Sequence, residues 1–86
     1  MYVIIVYDVD ERRVLKVNKF LKRYLIWIQN SVFEGEISIS LLEKVIIGLN
    51  KIIEDKDTIV VYKLKSDVYL ERLMLGKISE NINNVL

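Results

Sequence analysis

The 86-residue chain has no cysteine and no histidine, and few aromatic residues beyond tyrosine. Without cysteine there is no disulfide and no thiolate metal site. Without histidine the usual general base, the usual zinc ligand and every Ser-His or Cys-His nucleophile pair are excluded as well. Any catalysis must run on carboxylates, Lys, Arg, Tyr, hydroxyls or a bound hard cation. No apolar run approaches the ~20 residues that a membrane-spanning helix needs, so no membrane partner is expected. The first apolar run reads as a strand and not as a secretory leader, which sets the expectation of a cytoplasmic protein. With two Phe, one Trp and two Met, the core must be built from Ile, Val and Leu.

What is present is a folded composition, 52% hydrophobic and 29% charged, with room for one domain. A chain this short buries a modest core, and a second copy or a partner often supplies the missing burial. The formal net charge of +1 conceals an asymmetry. Residues 1–30 carry six basic residues (Arg12, Arg13, Lys16, Lys19, Lys22, Arg23) against three acidic ones, whereas the remainder carries seven basic against nine acidic.

The run Tyr2–Tyr7 is β-branched, aromatic and continuously apolar, the pattern of a central strand covered on both faces. It ends at Asp8-Val9-Asp10. From Glu11 to Leu25 the period changes to that of a helix, with Val14, Val17, Leu21 and Tyr24 on one stripe, the basic residues on the others and Asp10 as N-cap. Ile26–Gln29 and Val32–Ile37 read as a hairpin around Asn30-Ser31. Ser40-Leu41-Leu42-Glu43 has the form of a capping box opening a second helix, whose stripe is Leu42, Val45, Ile46, Leu49 and Ile53. Glu54–Asp57 reads as a solvated acidic loop, Thr58–Leu64 as a fourth strand, and Val68–Leu75 as a fifth after the break at Lys65-Ser66-Asp67. The order is βαββαβ plus an extra C-terminal strand, which predicts an α+β, ferredoxin-like sandwich over residues 1–76 with a tail at 77–86. The extra strand would leave an exposed edge in a monomer. Exchange in a homodimer, or an intramolecular edge strand, would each accommodate it.

Two features could carry chemistry. Asp8 shares a strand face with Ile4 and Val6, so it is the polar end of an apolar column. It is either a strand-terminal cap facing water or half of a metal site, because Mg²⁺ typically takes one or two carboxylates and completes its shell with water and phosphate oxygens. Two copies of Asp8 about a two-fold axis would supply the pair. The basic face of the first helix is either a solubilising surface or a phosphate-binding stripe. Almost no acid interleaves between Arg12 and Tyr24 to neutralise it. Phe33, beside Ser31, suits either base stacking or the core. Tyr7 and Trp27 read as packing residues.

The residues Val6-Tyr7-Asp8-Val9, then Asp10-Glu11-Arg12-Arg13 with Lys16-Val17, then Gln29-Asn30-Ser31-Val32-Phe33-Glu34-Gly35, resemble the small CRISPR-associated spacer-acquisition family, "Cas-two". The resemblance implies a ferredoxin-like homodimer whose last strand packs on the partner copy's sheet. It implies Mg²⁺- or Mn²⁺-dependent endonuclease activity on RNA or DNA, or a non-catalytic scaffold that binds duplex DNA between copies of the CRISPR integrase. The family's metal-binding aspartate falls on Asp8. Its nucleic-acid contacts fall on Arg12, Arg13, Ser31 and Phe33, and Lys16 extends the basic face. One departure is Trp27, where many members carry a basic residue.

Overall fold

A computed structural model describes residues 1–65 and 70–76. Six elements follow one another: β1 (Tyr2–Asp8), α1 (Glu11–Leu21), β2 (Ile26–Gln29), β3 (Val32–Glu36), α2 (Ile39–Ile52) and β4 (Thr58–Leu64). The four strands form one sheet in the order β2-β3-β1-β4, with every neighbouring pair antiparallel. This is the ferredoxin-like arrangement expected, with β1 central and both helices packed on one face.

That one-sided packing corrects the reading of β1. Val3, Ile5 and Tyr7 are buried beneath the helices, but Tyr2, Ile4 and Val6 on the opposite face are only partly buried and Asp8 is exposed. The register extends this open face across the sheet, since Ile4 pairs with Glu34 and Tyr62, Val6 with Val32 and Val60, and Asp8 with Thr58. Val60, Tyr62 and Ile26 are exposed on it. An apolar strand therefore signalled two apolar faces, of which the helices of one chain cover one.

Three element boundaries differ from expectation. Helix α1 stops at Leu21, four residues early. The N–H groups of Arg23 and Tyr24 turn back to the carbonyls three residues before them, which tightens the last turn and frees Leu25 to enter the core before β2. Helix α2 begins at Ile39, capped by Ser38, whose side chain accepts from Leu41 N–H. The Ser40–Glu43 box is thus already inside the first turn, because the serine in extended conformation is the one that meets the end of β3. The fifth strand is not formed over residues 70–75, which have no ladder partner in the single chain, and Val68 and Tyr69 lie outside the described residues. Ser66, Asp67 and the tail at 77–86 also lie outside them.

The helices meet closely at Gly48, where a Cβ would fall 2.3 Å from Phe20 Cζ. Phe20 in turn packs against Tyr24, ring centroids 5.4 Å apart. Gly48→Ala forces the ring aside. The overpacking, ~1–3 kcal/mol, exceeds the ~1 kcal/mol that alanine returns in helix propensity. A net loss of ~1 kcal/mol by urea denaturation is expected, and Phe20→Leu in the same background should recover part of it.

Candidate active site

The C-terminal end of β1 collects residues far apart in sequence. Tyr7 N–H donates to the carbonyl of Ser31 at 3.0 Å, so the hairpin turn lies beside Asp8. Asn30 holds that turn in the left-handed region, with φ of 42°, a conformation that asparagine tolerates better than most residues. Trp27 braces it, its Nε1–H donating to the Asn30 carbonyl at 3.0 Å. Lys22 Nζ lies 4.9 Å from the Trp27 ring centroid, so a cation is present where the tryptophan replaces a basic residue.

On the other side of β1, Asp57 clasps the start of α1. Its Oδ2 accepts from Arg13 Nε at 2.6 Å and from Glu54 N–H at 2.9 Å, and its Oδ1 from Arg13 Nη2 at 3.0 Å and Asp10 N–H at 2.9 Å. The carboxylate is 1% exposed and Arg13 12%. Arg13 Nη1 also lies 3.1 Å from Glu54 Oε2. The Arg13 guanidinium, with the two backbone N–H groups, holds the Asp57 carboxyl well below the usual carboxylate range, and the same contact raises Arg13. The acidic loop expected at Glu54–Asp57 is thus solvated except for Asp57. The antiparallel pairing of β1 with β4 offered the missing signal, because it brings the residue before Thr58 to the residues after Asp8.

The carboxylates around this end therefore differ in availability. Asp10 caps α1 and is held low chiefly by Arg12, whose Nε donates to it at 2.9 Å. Asp57 is saturated. The side chain of Asp8 is exposed and makes no ion pair among the described residues. Of the expected nucleic-acid contacts, Arg12 and Lys16 are exposed one helical turn apart on α1, and Ser31 is partly exposed at the turn. Arg13 is committed to the clasp. Phe33 is fully buried and packs on Tyr7, centroids 6.2 Å apart, leaving no ring face for a base in this conformation. The structure thus gathers Asp8, Ser31 and Arg12 at one end of the sheet and turns Phe33 inward.

Among the described residues no group of three or more acidic side chains could enclose a metal ion. One carboxylate suits only a cation that retains most of its waters, as Mg²⁺ does. A single chain offers half of the carboxylate pair such an ion can take.

A family model described as CRISPR associated protein Cas2 matches residues 1–72. The chain belongs to the Cas2 family. A CRISPR-associated endoribonuclease Cas2 of Pyrococcus furiosus is 52% identical over 78 residues, spanning 90% of this chain and 92% of that protein. A second Cas2 endoribonuclease, from Archaeoglobus fulgidus, is 51% identical over 77 residues, 88% of this chain and 84% of the relative. Among solved structures, a Cas2 crystal structure superposes with a TM-score of 0.86 at 40% identity, covering 93% of this chain and 91% of that one. Streptococcus pyogenes Cas2 at pH 6.5 superposes at 0.72 with 30% identity, covering 86% of this chain and 100% of that one. The Cas2 relationship thus spans the elements that build the β1 end.

The clasp makes a pH-dependent prediction. With the Asp57 pKa depressed in the folded state, its contribution is fully present above the unfolded carboxylate range and is lost progressively as pH falls from there through the folded value. Asp57→Asn should lower the thermal midpoint at pH 7 by more than Glu54→Gln does. The gap to wild type should narrow as pH drops below about 4. A gap that stays constant into strong acid would place the loss in packing and not in charge.

Proposed function

We propose that the chain is a metal-dependent endonuclease of CRISPR spacer acquisition, acting in the cytoplasm as a homodimer alongside the integrase. The observation that carries this reading is the position of Asp8. It is exposed and uncommitted, and stands at the end of the open sheet face whose Ile4, Val6, Val60 and Tyr62 offer an apolar surface to a second copy. Pairing two copies across that face would remove apolar area from water. It would also bring a second Asp8 to the first, making up the carboxylate pair that one chain lacks.

Mg²⁺ or Mn²⁺ held by two Asp8 carboxylates would polarise a phosphodiester of RNA or DNA and acidify a water, a route open to a protein without histidine. The remaining work falls to the chain itself. Arg12 and Lys16 would hold the phosphate backbone by charge, and the polar turn at Ser31 lies beside Asp8. Arg13, through Asp57, keeps the segment after Asp8 in place. Asp8→Asn is expected to abolish Mg²⁺- and Mn²⁺-dependent cleavage while leaving the dimer intact by sedimentation. Undiminished cleavage by the purified variant would refute the catalytic reading.

A second reading, a non-catalytic duplex-DNA scaffold that bridges integrase dimers, is favoured by a different observation. Arg12, Lys16 and Lys19 form an exposed stripe along α1, on the sheet face opposite the open one. Such a stripe can bind phosphates whether or not Asp8 works. Each phosphate contact contributes ~0.9 to the slope of log affinity against log salt. Arg12→Glu with Lys16→Glu should therefore flatten that slope by ~2 and weaken binding to duplex DNA, whereas Asp8→Asn should leave both unchanged. Unaltered affinity after the double reversal counts against both readings of this stripe.

A further inference from the structure

The one tryptophan of the chain stands at an edge of the sheet with a cation over its ring. On the β2–β3 ladder Trp27 is across from Phe33, which is buried under the helices, so the Trp27 ring lies on the helix side. The register shifts between Trp27 and Gln29, an irregularity of the kind that re-aims a side chain. The ring is half-buried, its Nε1–H is tied to the Asn30 carbonyl at 3.0 Å, and Lys22 Nζ sits 4.9 Å from its centroid. Beside it lies a hollow of about 280 Å³ lined by Lys22, Leu25, Ile26 and Trp27. Clefts that enclose a whole small molecule run from ~300 to ~1,000 Å³. This one suits a single ring of a longer ligand.

The cations around the hollow are uncommitted. Lys22 and Arg23 are exposed and form no ion pair among the described residues. Arg12, Lys16, Lys19 and Lys22 follow one another at steps of three or four residues, along one face of α1 and onto its C-cap. The row rises ~15 Å from Arg12 to Lys22 and ends at the Trp27 ring. Charge alone attracts the phosphates of any nucleic acid. A flat ring at the end of the row adds a different interaction, because it stacks on a base only where that base is free of a duplex.

We propose that Trp27 is a stacking platform for an unpaired nucleobase at the far end of the α1 row, with Lys22 and Arg23 holding the phosphates next to it. The proposal rests on the nucleic-acid reading of that row. In the free protein Lys22 rests over the ring. A base offers the stronger contact, and the flexible stem of the lysine lets its ammonium move aside to a phosphate. The bond to Asn30 fixes the ring beforehand, so little side-chain freedom is lost on binding.

Because Trp27 is the only tryptophan, its emission reports this ring alone. A labelled oligothymidylate and a blunt duplex of the same length are titrated in EDTA, so that no metal-dependent cleavage consumes them. Anisotropy reads binding and tryptophan emission reads stacking. The single strand is expected to quench emission by about half or more, and the duplex by less than about a tenth. Trp27→Leu should weaken single-strand binding about five-fold or more and leave duplex binding within about two-fold. Trp27→Phe, which keeps a ring, should stay within about three-fold for both probes. Should Trp27→Leu lose its fold by circular dichroism, the wild-type quenching and Trp27→Phe decide. Equal quenching by the two probes, or single-strand binding without quenching, overturns the platform. Binding that Arg12→Glu with Lys16→Glu removes, yet that never alters Trp27 emission, sustains the row and overturns the platform alone. No binding of either probe refutes the nucleic-acid reading of the row and the platform with it.

Discussion

The sheet of this protein is covered by helices on one side only, and the parity of β1 follows through everything else. Because side chains alternate along a strand, Val3, Ile5 and Tyr7 are committed to the helices, and Tyr2, Ile4, Val6 and Asp8 must share the other face. The same parity, carried across the ladder, puts Glu34, Val60 and Tyr62 on that face. A shift of one residue would bury Asp8 under α1 and expose Ile5. The chemistry proposed for Asp8 and the burial of Glu34 on the open face are therefore two consequences of one register. Both also depend on the open face being apolar in its middle and charged at specific points.

The second constraint is electrostatic and local. Asp8, Asp10 and Asp57 lie near one another in the fold, yet they have separate tasks. Asp57 receives four donors and fastens the entry of α1 to the start of β4. Asp10 receives the first N–H groups of α1 and the guanidinium of Arg12. Every donor spent on these two is unavailable to neutralise Asp8. Arg13 belongs to the same economy, for its charge offsets Asp57 inside the protein and is not presented to solvent. A basic residue two positions into a helix next to a buried aspartate acts on the fold first, whatever the sign of the surface around it.

Much of this was legible in the sequence. The βαββαβ order, the limits of β1, β2 and β4, the Asp10 cap and the buried stripe of Leu42, Val45 and Leu49 all follow from local patterns of apolarity and capping, which a linear reading captures. Beyond the helix ends, three features needed contacts that a linear reading lacks. Arg13 looked like its exposed neighbour Arg12 because the partner that distinguishes them is 44 residues away. Phe33 stayed open between base stacking and the core because its burial depends on helices packed over β3. Strand β1 looked doubly covered because apolarity does not say which chain covers a face. Each of these three turns on a long-range contact, and two of them follow from placing β1 between β3 and β4.

The open face also explains why one small domain can support both a catalytic and a scaffolding reading. On the metal-dependent reading proposed for Asp8, hydrolysis without histidine or cysteine would run through a cation, and one chain provides one carboxylate of the pair that such a cation can take. If the second carboxylate is the partner copy's, activity becomes a property of how two sheets meet. Small changes in that meeting would then part or join the two Asp8 side chains without altering either fold. Binding of nucleic acid along α1, as proposed for the scaffold reading, would have no such requirement, because the exposed cations of α1 lie on the far side of the sheet. Two proteins of this architecture could thus differ in cleavage while sharing the same DNA-binding surface. The difference would reside in the apolar contacts of Val60 and Tyr62, neither of which touches the substrate in the proposed arrangement.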